Sequence, residues 1–190
     1  MGSNFTEFGD LVLLIGDFHV AQRALSMPEC FRELLKTDKI RHILCTGNLG
    51  SREVLDQLKG IVGSVHMVQG DMDIDFDFPE FKTVQIGELK VGLIHGHQII
   101  PWGDGKSLMD WQRRLDCDIL VYGHTHQNIV SEIDGKFFIN PGSATGAFTP
   151  TLHDVVPSFM LMAVRGTNVA IYVYEEKDGK ANVVMSEFKK

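Results

Sequence analysis

No stretch of this sequence stays apolar long enough to span a bilayer, which argues against direct membrane insertion. The opening residues lack a basic segment followed by a purely apolar one, so no secretory signal is expected. Positive charge is the scarcer sign. The 18 Lys and Arg stand against 25 Asp and Glu, a net charge of -7. That balance offers no general field to attract nucleic acid or anionic lipid. The few basic side chains, among them Arg113 and Arg114, are not interleaved with enough aromatics for a nucleic-acid stacking groove, so no nucleic-acid partner is expected. Cysteine is sparse and odd in number. Cys30, Cys45 and Cys117 lie far apart with no Cys-x-x-Cys pair, which reads as reduced thiols of a cytoplasmic protein serving as packing residues. There are no internal repeats, low-complexity tracts or linkers.

What is present is the profile of a soluble globular chain, 44% apolar and 23% charged over 190 residues. That length supports one well-buried core and not two ordinary domains. Residues 1–10 read as a polar tail, partly disordered, and residues 11–190 as one domain. Leu11 to Ile15 is a continuous apolar run, as in a strand buried on both faces. A short helix from Pro28 to Leu35, a strand from His42 to Thr46, a helix capped by Ser51 and ending near Gly60, and a strand from Val65 to Val68 follow. This alternation is the mark of a βαβ layer. Hairpins are expected at Gly87-Glu88 and Asp134-Gly135, a helix over Ser107–Leu115, a strand over Asp118–Tyr122, and three strands in the last part of the chain. The expected fold is α/β, two mixed β-sheets stacked face to face and flanked by helices.

Polar groups cluster where the expected strands end. They occur as Asp17-Phe-His19, Gly47-Asn48, Gly70-Asp71-Met72-Asp73, His95-Gly-His97 and Gly123-His124-Thr-His126. Each alone is weak. A lone Asp-x-His is most often an ordinary loop, and Asn48 alone would be a turn residue. Five in order, each directly after a strand, point to one site, because carboxyl ends of strands form the crevice of layered α/β sheets. Carboxylate, amide and imidazole donors of this mix suit Zn²⁺, Mn²⁺ or Fe ions. His42 and His66 fall inside strand patterns and read as structural. His97 reads as a local or outer neighbour of His95, and His153 carries no motif.

The ordered series resembles the calcineurin-like metallophosphoesterases, whose blocks run Asp-x-His, Gly-Asp, Gly-Asn-His/Asp, His and Gly-His-x-His. Four longer stretches, His42–Asn48, Gly92–Gln98, Ile100–Asp104 and Ile139–Ala147, are similar to the small-subunit family of retromer, a cytosolic coat that sorts cargo from endosomes. The first resemblance implies a metallophosphoesterase-like sandwich. It implies Asp17, His19, Asn48 and His126 around one divalent ion, and Asn48, Asp71, His95 and His124 around a second. The second implies a scaffold on endosomal membranes whose partner is the large α-solenoid subunit, alongside other retromer, sorting-nexin or Rab-regulatory proteins. For the solenoid contact it implicates Ile99, Ile100, Pro101 and Trp102, expected to form an exposed apolar patch. For regulators it implicates Leu161, Tyr172 and Tyr174.

Two departures from the phosphoesterase pattern weaken catalysis. The bridging carboxylate is replaced by Asn48, whose neutral amide is a poor bridge between two cations, so Zn²⁺ or Mn²⁺ is expected to bind weakly. The histidine that protonates the leaving group is replaced by Met72, whose thioether has no transferable proton. Losing a general acid typically forfeits ~10²–10⁴-fold in rate. Asp73 is nearby, but alternation points it elsewhere. The chain therefore reads as a non-catalytic scaffold, with a weak metal-dependent phosphodiesterase as the alternative.

Overall fold

The computed structural model describes residues 9–189. Residues 1–8 lie outside them, and with them nearly all of the expected tail. Two mixed β-sheets stack face to face, and helices cover their outer faces. One sheet has the order β11 (Lys180–Lys189), β10 (Asn168–Lys177), β9 (Ser158–Arg165), β1 (Asp10–Ile15), β2 (Ile40–Cys45), β3 (Val65–Met67), and the other β4 (Phe81–Ile86), β5 (Leu89–Ile94), β6 (Ile119–Val121), β8 (Lys136–Pro141), β7 (Asn128–Ile133).

The alternation read from the first seventy residues becomes β1 (Asp10–Ile15), α1 (Glu29–Leu34), β2 (Ile40–Cys45), α2 (Arg52–Ile61) and β3 (Val65–Met67). β1 pairs in parallel with β2, and β2 with β3. Successive β1 residues serve two cores, which is why the run is apolar throughout. Leu11, Leu13 and Ile15 pack toward α1 and α2 with Phe31, Val54, Leu55 and Leu58. Val12 and Leu14 pack between the sheets against Val84, Val91, Ile119 and Ile139. Burying each such side chain contributes roughly 1.5–3 kcal/mol. Ser51 takes the N-cap position of α2, but its hydroxyl makes no capping bond; the helix begins without one.

The second sheet is built from the hairpin β4 (Phe81–Ile86) and β5 (Leu89–Ile94), then β6 (Ile119–Val121), β7 (Asn128–Ile133) and β8 (Lys136–Pro141). α3 (Gly105–Leu115) closes its outer face over Ile94, Leu120 and Phe138. Asp104 caps α3 by accepting the Ser107 N–H at 2.9 Å. The chain then returns to the first sheet through β9 (Ser158–Arg165), β10 (Asn168–Lys177) and β11 (Lys180–Lys189). β9 lies antiparallel beside β1, so the first strand ends up central. The three cysteines are free, Cys45 and Cys117 buried.

Ile99 departs from the sequence expectation. It has no exposed surface and packs with Ile94 and Leu108 beneath α3. Its N–H donates to Gly96 O at 3.1 Å, a turn that sends this side chain inward and the next one out. Ile100 is accordingly 75% exposed and Trp102 54%.

Candidate metal centre

β1, β2 and β3 run parallel, as do β5 and β6, so five carboxyl ends open at one edge of the sandwich. The loops leaving them are sharply turned. Asp17, His19, Asn48, His124 and His126 all have positive φ, between 47° and 71°. Non-glycine residues rarely occupy that region, and a cluster of them marks a place where the surrounding structure holds the backbone for function.

The restraints are identifiable. Ser143 donates its hydroxyl to Asp17 O at 2.6 Å, Thr145 donates to Phe18 O at 2.7 Å, and Ala144 N–H donates to Gly16 O at 3.0 Å. The 139–147 segment thus clamps the turn carrying Asp17 and His19. Asp73, 1% exposed, accepts the N–H groups of Asn48 at 2.6 Å, Leu49 at 2.8 Å and Gly70 at 3.0 Å. It points away from the cleft, as alternation suggests, and holds the Asn48 turn. At Gly70 a Cβ would lie 2.1 Å from Asn48 Oδ1, so only glycine lets the two loops meet.

Six side chains form two groups of three: Asp17, His19 and His126; Asp71, His95 and His124. Within each group the donor atoms lie within 4.8 Å of one another. In the first, His19 Nε2 and His126 Nε2 are 3.2 Å apart, and Asp17 Oδ1 is 3.6 Å from His126 Nε2 and 3.9 Å from His19 Nε2. Asp17 Oδ2 accepts the His124 N–H at 2.8 Å, while Oδ1 is buried with no hydrogen-bond partner. In the second, Asp71 Oδ1 is 3.1 Å from His95 Nε2 and 3.7 Å from His124 Nδ1. His95 Nδ1 donates to Thr46 O at 2.7 Å and His126 Nδ1 to Ala147 O at 2.5 Å. Those bonds leave the Nε2 lone pairs facing the cleft, the arrangement metal-binding histidines adopt. An orphaned carboxylate oxygen among inward-facing imidazole nitrogens fits a divalent ion of the zinc type.

Asn48 lies between the two groups. Its Oδ1 accepts the Met72 N–H at 2.9 Å, so its nitrogen faces the ligands, 2.8 Å from Asp71 Oδ1 and 3.1 Å from His95 Nε2. His97 is half-buried beside His95 and His124, with ring centroids 5.3 and 6.2 Å away. His42 and His66 share the Ser64 hydroxyl at 2.9 and 3.2 Å, on β2 and β3 and outside both groups.

Electrostatics follow from this packing. Burial opposes ionisation of Asp17, but the surrounding His95, His126 and His19 outweigh it and hold the carboxyl below its ordinary range. Asp71 is also lowered, burial being overcome by hydrogen bonds from His124, His95 and Asn48. Burial pushes His19 down to about 4 despite Asp17. His95 is raised: burial works against its charged form, and the Asp17 and Asp71 carboxylates more than offset it.

The cleft opens into a cavity of about 390 Å³ lined by Arg23, Trp102, Thr149 and Thr151 together with His19, His124 and His126. Trp102 stands edge-on to His124 at 4.4 Å between centroids, which puts the 98–102 loop at the cleft mouth. Sequence reasoning missed Arg23, the part Asp73 plays in holding the Asn48 turn, and the clamp from Ser143 and Thr145. Arg23 had one available signal, four residues past His19 on a single turn. Away from the cleft, Leu161, Tyr172 and Tyr174 share the helix-side face of β9 and β10 and are half-buried; the Tyr174 ring stacks on Phe159 at 4.8 Å.

The family model of the calcineurin-like phosphoesterase superfamily domain matches residues 11–168. Vacuolar protein sorting-associated protein 29 (Vps29) of Schizosaccharomyces pombe is 40% identical over 184 residues, 95% of this chain and 98% of the relative. The structure of Vps29 from Cryptosporidium parvum superposes with a TM-score of 0.91 at 55% identity, covering 96% of this chain and all of that one. Vps29 of Entamoeba histolytica, in a crystal structure complexed with Zn²⁺, gives 0.90 at 46% identity, covering 94% of this chain and 99% of that one.

Proposed function

This chain belongs to the Vps29 family within the calcineurin-like phosphoesterase superfamily, and we propose that it serves as the non-catalytic scaffold subunit of a retromer-type sorting coat. In this reading it sits on the cytoplasmic side of endosomal membranes through the complex. The large α-solenoid subunit docks over the cleft. The observation that carries the reading is a combination: Met72 stands where the phosphoesterase pattern has its acid, and the loop with exposed Ile100 and Trp102 reaches the cleft through the Trp102 contact with His124. Exposed apolar groups around a cleft mark a partner site.

Asp17, His19 and His126 are assigned to one Zn²⁺ or Mn²⁺ ion, and Asp71, His95 and His124 to another. A bound ion would supply Lewis-acid polarisation and a more acidic water. The residues themselves fix the loops: Asp17 ties the β1 turn to His124 N–H, and Asp73 holds the Asn48 turn. In a scaffold that rigidity shapes the docking face. Leu161, Tyr172 and Tyr174 are assigned to a second surface for regulators of the sorting-nexin or Rab-regulatory kind. The Zn²⁺-complexed relative and the intact ligand groups favour a second reading, weak metal-dependent phosphodiesterase activity.

Co-purification with the C-terminal half of the large subunit tests the scaffold, together with hydrolysis of a chromogenic phosphodiester in added Mn²⁺ or Zn²⁺. A stable complex with negligible turnover is expected. Turnover comparable to an active phosphoesterase and sensitive to Asp17→Ala would sink the scaffold reading.

A further inference from the structure

Arg23 lines the cavity, and among the described residues no carboxylate pairs with it. Its N–H donates to His19 O at 2.9 Å, which sets it one turn past that histidine. Its guanidinium lies over the Phe148 ring, 5.4 Å from the centroid, and Nη1 donates to Phe148 O at 3.1 Å. These contacts fix the guanidinium but neutralise nothing. Among the described residues Arg23 forms no ion pair, whereas Arg32 pairs with Glu29 and Arg113 with Asp110. The two carboxylates of the cleft are engaged elsewhere: Asp17 with His124 N–H, Asp71 with Asn48 and His95. With one of its five N–H donors used, the guanidinium keeps a fork free for a bidentate contact. Thr149 and Thr151, which follow Phe148 closely and whose hydroxyls lie 3.0 Å apart, also line the cavity and offer further polar contacts.

The surroundings decide what the fork receives. Trp102 lines this cavity, Phe148 precedes its Thr149, and Ile100 belongs to the Trp102 loop; all three are substantially exposed. A protein that covers such a rim also takes Arg23 out of water, and a guanidinium buried without a counter-charge is strongly disfavoured. We propose that the partner docking on this face inserts one aspartate or glutamate side chain into the cavity, where its carboxylate pairs with Arg23. The inference rests on the docking reading above and adds the specificity element of that contact. A fixed charge in an apolar ring rewards the one register in which an acid meets it and penalises the others.

The test is isothermal titration of the full chain with the C-terminal α-solenoid half of the large subunit, at low and high salt. The variants are Arg23→Ala, Arg23→Lys, Arg23→Glu and Ile100→Asp, with melting curves for each. Arg23→Ala is expected to weaken binding roughly 30-fold or more, Arg23→Glu further, and Arg23→Lys less than Arg23→Ala. Wild-type binding should be salt-dependent and Arg23→Ala binding much less so. If Ile100→Asp abolishes binding while Arg23→Glu stays within about threefold of wild type, docking stands and the carboxylate is refuted. If Ile100→Asp binds normally, the docking reading fails first. Equal losses in Ala and Lys variants with unchanged salt dependence would make Arg23 a prop for Phe148 and overturn the proposal. Inorganic phosphate followed by ³¹P NMR is the remaining arm. Phosphate binding that depends on Arg23, with partner affinity unaltered in Arg23→Glu, would reassign the site to a free anion.

Discussion

Asn48 and Met72, two positions where the cleft departs from the phosphoesterase pattern, are joined by a hydrogen bond. The Met72 N–H donates to Asn48 Oδ1 at 2.9 Å. A backbone N–H can only donate, so the identity of the amide oxygen is settled and its nitrogen faces His95 and Asp71. The central position of the cleft thus presents a donor to both ligand groups. Turning the amide over would leave the Met72 N–H unpaired at a cost of about 1–3 kcal/mol.

Asn48→Asp is therefore expected to raise Zn²⁺ affinity by roughly ten- to a hundredfold, as one carboxylate oxygen keeps Met72 while the other faces the ligands. Calorimetric titration of metal-stripped protein measures it. An affinity unchanged by the substitution would show that Asn48 does not limit binding.

Restoring the phosphoesterase pattern should restore some chemistry. The wild type is expected to hydrolyse a chromogenic phosphodiester negligibly. The resemblance also implies an Asn where this chain has Asp71, so the triple variant Asn48→Asp, Asp71→Asn, Met72→His restores the pattern and is expected to gain roughly 10²-fold or more, the scale of a general acid. No gain, in a variant that binds two ions, would mean that the loop geometry rather than the missing groups sets the rate.

Adjacent isoleucines should respond oppositely to the same change. Ile100→Asp is expected to alter stability by within ~0.5 kcal/mol while removing binding to the α-solenoid. Ile99→Asp puts a charge beneath α3 and is expected to cost ~4 kcal/mol or more, seen as a large fall in melting temperature. Paired thermal unfolding and co-purification distinguish them; equal melting temperatures would contradict the packing described for Ile99.

In the metal-free protein His19 and His95 should pull stability in opposite directions as pH changes. His19 falls from 6.5 to about 4 on folding, so the unfolded chain binds more protons in that window, and stability is lost as pH drops through it. The loss from this group is on the order of 3 kcal/mol. His95 is raised, so its contribution is complete below 6.5 and declines as pH rises through its folded value. Urea unfolding in a chelator across this range measures both limbs, and His19→Gln should flatten the acid one. Stability rising steadily toward high pH would contradict the His95 assignment.

The fold was legible because the strands of the first layer carry a single message. Leu11–Ile15 is apolar throughout because its two faces feed different cores, and Asp134-Gly135 can be little other than a hairpin turn. The ligands were legible because each follows a strand directly. Ile99 was misjudged because one turn hydrogen bond, Ile99 N–H to Gly96 O, decides which of two isoleucines points inward, and sequence pattern does not register it. The Ser143 and Thr145 clamp was invisible because it acts from a segment remote in sequence: Ser143 reaches Asp17 across 126 residues.

That remoteness has a kinetic side. β1 is central, yet its neighbour β9 comes late in the chain, and His19 meets His126 across 107 residues. Closing such loops is entropically costly, and non-local pairings slow folding. On a ribosome, the β1–β2–β3 layer emerges with one edge of β1 bare until β9 arrives. The turn bearing Asp17 and His19 emerges long before the residues that clamp it. The ligand cleft is consequently assembled only once the chain has been made as far as Ala147, and a nascent fragment ending before β9 exposes an apolar strand edge, a hazard for aggregation that the finished molecule no longer carries.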